Sequence, residues 1–468
     1  MSSDHRRNRR RLPAGVKFLL STAAVVFLLF LSGFAFRYCL SLFVVGDEYL
    51  IRLPGQNPIA QVDPNQGLDV FASSDTVTQT NRATILAAGD LMTHMPIVRS
   101  GAETNGYSFE YIFQYVQSYI ASADYAVVNL ETTLSGTDGK QYTGYPKFNA
   151  PDAIASSAYH VGFDMMLTAN NHCYDYGTAG LLRTLDVIEN AGLETLGTVS
   201  SVEDTPYVVR NINGIRVGMI NYTYADIIDD PTTPVINDTR IDSKSAGLIN
   251  TFDYANLDLF YTEMENRISG MKAAGAEAIV LFIHWGDQFT TSPSSTQKII
   301  AQKMCDLGVD VIAGSHPHVV QPIELLKSTD GKNQTVCMYS MGNFLSNQRA
   351  DNIALETGHS EDGVMFSFSF VKYSNGEVHL EAVNLLPTWV LVLGNENSKT
   401  FHIIPLDVEV EDWNSAYPLD GNQSAAAVKS LDRTNELIYH QLAEVKTQLQ
   451  RQVEERGYTL GTFTGGVG

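Results

Sequence analysis

The sequence predicts an α/β protein, a sheet covered by helices, preceded by one N-terminal transmembrane helix. Three observations carry that reading. Short apolar runs alternate with helical patterns from Thr84 onward, the texture after Pro322 is strands only, and residues 18–36 form nineteen positions without a charge. Hydrophobic residues make up 44% and charged residues 18% of the 468 positions, the balance of a globular chain that buries a large core.

The charge-free run FLLSTAAVVFLLFLSGFAF is long enough to span a bilayer as a helix. Five arginines and a lysine precede it, so the positive-inside rule places the N-terminus in the cytoplasm and everything after Arg37 outside. A cleaved signal peptide competes with this reading. Its apolar region would be shorter, and the exit from Gly33 to Ala35 is a poor cleavage site. The expected organisation is a basic cytoplasmic tail at 1–17, a single-pass cell-membrane anchor at 18–38 and an extracytoplasmic linker at 39–82. The main domain is expected at 83–410 and a C-terminal helical extension at 411–468.

The formal net charge is -21. Seven of the 31 Lys and Arg residues, but one of the 52 acids, fall within residues 1–40, so the remainder carries a balance of -27. Such a surface has no footprint for nucleic acid and repels a polyanion except at a local cationic site. Metal ions are its natural partners. Cys39 abuts the apolar run, and Cys173, Cys305 and Cys337 lie at no metal-like spacing. Three cysteines in the main domain cannot all pair, which argues against a disulfide framework.

Strands are expected at Thr84–Ala88, Tyr125–Leu130, Phe163–Thr168, Arg216–Asn221, Ala278–His284 and Val309–Ala313. Helices are expected between them at Phe109–Ala121, Thr178–Ala191, Tyr254–Ala274 and Ser294–Leu307, which is the alternation of a helix-covered sheet. Thr335–Ser340, Val364–Lys372 and Val378–Asn384 would add a second sheet or an antiparallel edge. From about Ala425 to Arg456, Val428, Leu431, Ile438, Leu442, Val445 and Leu449 recur at heptad spacing. That pattern suits a helix packed on its own domain or a coiled-coil contact with another chain.

Polar residues cluster where the expected strands end. Asp90 follows the first, Asn129 and Glu131 end the second, Asn171 and His172 follow the third, His284 ends the fifth, and His316 and His318 follow the sixth. Singly, each has an ordinary explanation. Gly89-Asp90 reads as a turn or cap, Asn129 and Glu131 as a strand terminus, Asn171-His172 as a loop pair and His284 as a core histidine. His316-Pro317-His318 is less ordinary, because imidazoles two apart in an extended segment project to one side. Carboxyl ends of strands are where α/β proteins build sites, and carboxylates, an amide oxygen and three imidazoles suit manganese, zinc or iron.

The strings GDLM (89–92), NLE (129–131), ANNHCYDYG (169–177), HWGDQ (284–288), GSHPHVVQPIE (314–324) and YSMGNF (339–344) occur in that order. In them the chain resembles the CapA family of poly-γ-glutamate capsule synthesis proteins, which is similar in fold to calcineurin-like metallophosphoesterases. The resemblance implies a sandwich of β-sheets flanked by helices, in a membrane-anchored protein that makes or exports an extracellular polymer. It also implies one or two divalent metal ions. Asp90 and His318 would serve the first, Asn171, His284 and His316 the second, and Glu131 would bridge them. His172 matches a general acid. Partners would be the membrane, an anionic polymer or a phosphoester or amide substrate, and other capsule-synthesis membrane proteins. The alternatives are a phosphoesterase unconnected with capsule and a non-catalytic polymer-binding or assembly subunit.

Some positions depart from the phosphoesterase pattern. Met92 stands where a histidine is usual, with His94 two residues further on, and Gln288 stands where the family tends to show Glu. Gly342-Asn343-Phe344 suits either a tight turn or the edge of the site. Asp175 and Gly177 are expected to shape the loop that holds His172, without a chemical role for Asp175. Lys147 and Arg349 are expected to be solvated surface charges.

Overall fold

In β1 (Gln79–Leu91) apolar side chains point alternately to two cores. Ile85 and Ala87 join one, and Leu86 and Ala88 join the other. A strand buried on both faces sits inside a layered sandwich, and the rest of the chain supplies the layers. The computed structural model describes residues 77–227, 233–353, 357–395, 398–407 and 412–458. The expected cytoplasmic tail, membrane anchor and nearly all of the linker lie outside them. Among the described residues no helix is long and apolar enough to cross a membrane.

The chain first lays down half a sheet. β1, β2 (Tyr125–Leu130), β3 (Met165–Leu167) and β4 (Glu194–Leu196) lie side by side and parallel. α1 (Ala153–Val161) and α2 (Gly177–Asn190) cover its outer face, where Ile154 and Ile188 pack with Leu86, Val128 and Met166.

A second sheet follows. β5 (Val208–Ile212) pairs antiparallel with β6 (Ile215–Tyr224). With β7 (Thr251–Phe252), β8 (Ala278–His284), β9 (Val311–Ser315), β10 (Val320–Lys327) and β11 (Gln334–Met341) they form the order β7-β6-β8-β9-β11-β10. α3 (Leu257–Ala273) and α4 (Ser295–Leu307) cover its outer face through Phe260, Met264, Ile300 and Met304. A capping box between Ser294 and Gln297 starts α4.

The chain then returns to the first sheet. β12 (Asn343–Leu345) pairs parallel with the end of β1. β13 (Asp362–Tyr373), β14 (Val378–Leu393) and β15 (Thr400–Pro405) extend the sheet antiparallel from the edge of β1 opposite β2. Between the sheets lie Ile85, Val127, Val217, Met219, Val280, Phe282, Met338 and Phe366. The result is helix, sheet, sheet, helix.

Several expectations change in detail. Among the described residues there are two large sheets where the first alternation suggested one, and the strands after Pro322 form no separate sheet. β10 and β11 finish the second sheet, and β12–β15 extend the first. The helix expected over Phe109–Ala121 is broken into short pieces at Glu110–Phe113 and Gln117–Ala121. The long C-terminal helix α5 (Gly421–Arg456) packs on its own domain, with Ile438, Val445 and Leu449 entering the core between the sheets. Val428, expected on that seam, is 49% exposed, while Ser430 and Thr434 are buried. Ser430 and Arg433 together hold the buried Asp362 carboxylate.

Candidate metal centre

β1 and β2 run parallel in one sheet, and β8 and β9 run parallel in the other, so each pair delivers its carboxyl ends to one rim. The two rims meet. Asp90 Oδ2 accepts the His316 backbone N–H at 3.3 Å and lies 3.0 Å from His318 Nδ1, which joins the exit of β1 to the loop after β9. Close backbone approach makes this possible. A Cβ on Gly89 would stand 2.1 Å from the Gly342 carbonyl oxygen, the same oxygen that accepts the Asp90 N–H at 3.0 Å. Gly342 thus serves both as a turn, at φ 68°, and as a wall of the site.

The structure brings Asp90, Glu131, Asn171, His284, His316 and His318 together, all of them buried. Their donor atoms sort into two groups that share Glu131. One is Glu131, His284 and His316, the other Asp90, Glu131 and His318, and within each group the ligand atoms lie within 4.8 Å of one another. Asn171 Oδ1 lies 3.0 Å from His284 Nε2 and so belongs beside the first group. His316 Nδ1 is 3.1 Å from that same His284 nitrogen. His316 and His318 both have positive φ, 97° and 57°, so the segment is not the extended one the sequence suggested. The left-handed turns on either side of Pro317 send one ring to each group. Such strain in non-glycine residues persists where surrounding structure enforces it.

Both carboxylate oxygens of Glu131 are buried without a hydrogen-bond partner. Burial, reinforced by the charge of Asp90, pushes its carboxyl well above the ordinary range. Burial and the neighbouring imidazoles push His284 and His316 well below theirs, so both rings are neutral and offer lone pairs. A buried acid with nothing to donate to it, facing unprotonated nitrogens and an amide oxygen, is a donor set that fits a divalent cation. These residues could hold one or two ions.

Supporting groups surround that set. Asn129 Nδ2 donates to Asp90 Oδ1 at 2.8 Å, and Asn170 Nδ2 donates to the Leu130 carbonyl at 2.8 Å. Ser315 Oγ lies 2.9 Å from His284 Nδ1 and fixes that ring from behind. His172 belongs to neither ligand group. Its Nδ1 lies 2.8 Å from Asp175 Oδ2, and since a carboxylate only accepts, Nδ1 carries the proton. Asn237 Nδ2 holds the other Asp175 oxygen at 2.9 Å.

Asp175 therefore does more than shape its loop: it orients the His172 ring. The His–x–x–Asp spacing could have suggested the pairing, whereas nothing in the sequence pointed to Asn237, on a hairpin tip 62 positions away. His94 lies outside both ligand groups, and burial with the nearby His318 and His172 lowers its pKa to about 3. Asp287 and Gln288 are exposed, as is Lys147. Arg349 is not a solvated charge: it pairs with Glu361 at 2.8 Å with its side chain 17% exposed. Cys173, Cys305 and Cys337 are buried free thiols.

Fold and site together define a two-sheet α/β sandwich with a carboxylate–imidazole centre at its strand exits. The chain belongs to the bacterial capsule synthesis protein PGA_cap family, whose model matches residues 84–348. It is 28% identical over 291 residues to the capsule biosynthesis protein CapA of Bacillus anthracis, a match covering 61% of this chain and 65% of that one. It is also 28% identical over 242 residues to the PGA biosynthesis protein CapA of Bacillus subtilis (51% and 57%). To a "Probable polyglutamine synthesis accessory protein" of Mycobacterium tuberculosis it is 26% identical over 216 residues (44% and 53%). The chain thus spans between about half and two thirds of the length of these relatives.

Proposed function

We propose that this protein is a membrane-anchored accessory protein of poly-γ-glutamate-type capsule synthesis or export, and that its strand-exit centre is a metal-dependent, hydrolase-like site. The relatives' names support the first part, and the basic start followed by the apolar run at 18–36 supports the anchor. The observation that carries the second part is Glu131, a fully buried carboxylate with both oxygens unpartnered and common to two groups of ligand atoms.

Asp90, Glu131 and His318 would hold one cation, and Glu131, Asn171, His284 and His316 another. When bound, such an ion supplies Lewis acidity and lowers the pKa of coordinated water to about 7. The chain's own residues do the rest. His172 is the proton donor: with Nδ1 committed to Asp175, the proton leaves from Nε2 to the departing oxygen, and the Asp175 carboxylate stabilises the imidazolium before transfer. Asn129 keeps Asp90 in place, and Ser315 keeps His284 in its ring orientation.

Elemental analysis of the purified extracytoplasmic portion, dialysed against manganese, zinc or ferrous iron, tests the site. One or two ions per chain is the expected result, and none would leave the assembly-subunit reading. A C-terminal reporter that works only outside the cytoplasm tests the anchor. A fusion that is stably made but silent would refute it.

A further inference from the structure

His94 lies close to the centre but in neither ligand group. It stands where β1 has ended and a short helix at Met95–Ser100 begins. Its Nδ1 accepts the Asn347 backbone N–H at 3.3 Å. An N–H can only donate, so the imidazole proton resides on Nε2. Among the described residues Nε2 has no hydrogen-bond partner, and the residue as a whole is half-buried.

The ring's surroundings tie it to the site. Phe148 presents an edge-to-face contact to His94 at 5.1 Å and another to His172 at 4.6 Å, so one phenyl ring wedges the two imidazoles. Burial, with the nearby imidazoles of His318 and His172, holds the His94 pKa low. From behind, Gly144 presses on the backbone, since a Cβ there would lie 2.8 Å from the Met95 nitrogen. His94 is therefore held in one tautomer beside the proton donor, with its N–H unused.

We propose that His94 is a second catalytic residue of this centre, donating its Nε2–H to an oxygen of a phosphate-type anion held beside His172, and that it is not a metal ligand. The proposal rests on the hydrolase-like reading and names the kind of group the site receives. A chain with an acidic balance of -27 outside its first 40 residues repels anions over most of its surface. Fixed donors at the point of contact are what such a site needs, and in a water-poor setting each is worth more than in water.

Inorganic phosphate is the probe, titrated calorimetrically into manganese-loaded and metal-free wild type, His94→Phe and His94→Gln, with metal content and melting temperature measured alongside. Phe keeps the contact with Phe148 but has no donor, whereas Gln restores an N–H. His94→Phe should keep its manganese and bind phosphate roughly tenfold more weakly, the scale of one hydrogen bond to a charged oxygen. His94→Gln should recover to within about threefold, a recovery that a purely structural role for the ring would not give. Loss of manganese from His94→Phe would make His94 a ligand and overturn the proposal, as would unchanged phosphate affinity. If wild type takes up no manganese, the metal reading fails by itself, and the metal-free titrations decide His94: equal binding by wild type and His94→Phe, or none by either, refutes it.

Discussion

Replacing Glu131 by Gln should stabilise the metal-free protein and abolish its stabilisation by metal, two effects of opposite sign from one atom change. Without a cation the Glu131 carboxylate is buried and unpartnered beside Asp90. An unsatisfied buried polar group costs about 1–3 kcal/mol, and more when charged. Gln keeps the shape, removes the charge, and supplies an N–H₂ that can donate to Asp90. A gain of about 1–3 kcal/mol corresponds to several degrees in melting temperature. The pH dependence has a definite sign. The folded-state pKa lies above the ordinary carboxylate value of 4.5, so folded protein binds this proton more tightly than unfolded protein does. The wild-type penalty is therefore absent below about pH 4 and grows as the pH rises above it. With metal at a hundred times its dissociation constant, wild type should gain about 2.7 kcal/mol and the variant little. Thermal melts of both proteins, chelated and metal-saturated, at pH 4, 5.5 and 7 give the answer. A variant that melts below wild type when metal-free at pH 7, or that keeps the metal-induced shift, would refute the reasoning.

Three further expectations rest on other contacts. His316→Ala removes a ring 3.1 Å from His284, so metal affinity should fall by at least roughly 10–100-fold, and wild-type metal content after chelator dialysis would count against this ligand. His172→Ala should keep metal and melting temperature while turnover of a phosphodiester with a poor leaving group falls by roughly 100-fold, and Asp175→Asn should lose part of the same factor. Equal losses on a substrate whose leaving group needs no proton would exclude the proton-donor role. Arg433→Met strands the buried Asp362 and should cost about 3–5 kcal/mol near pH 8. Burial already pushes the Asp362 pKa to about 6, so the loss should shrink toward pH 5, where the carboxyl takes up a proton, as paired melts at the two pH values would show.

What the sequence made legible follows from which physical signals are local. Ala278–His284 and Tyr125–Leu130 were readable to the residue because a strand buried on both faces is a continuous apolar run that ends abruptly at polar residues. β4 was unreadable, three residues at a sheet edge with one buried side chain, and so was β15, whose partner strand is fixed by tertiary pairing. The same division runs through the site. Asp90, Glu131, His172, His284, His316 and His318 could be found because each follows a readable strand at its carboxyl end, where topology concentrates chemistry. The residues that orient them gave no such signal. Asn237 reaches Asp175 from a hairpin tip, Ser315 is one small hydroxyl at the end of β9, and Asn347 touches His94 through its backbone alone. A backbone donor has no sequence signature, so the tautomer of His94 could come only from coordinates. The reading of His316-Pro317-His318 as a ligand pair assumed an extended backbone, which the structure does not have. The positive φ at both histidines, not an extended segment, lets each ring face a different set of carboxylates. Strain of that kind, beside an unpartnered buried acid, is stability given up locally, and it is intelligible if a cation completes the site.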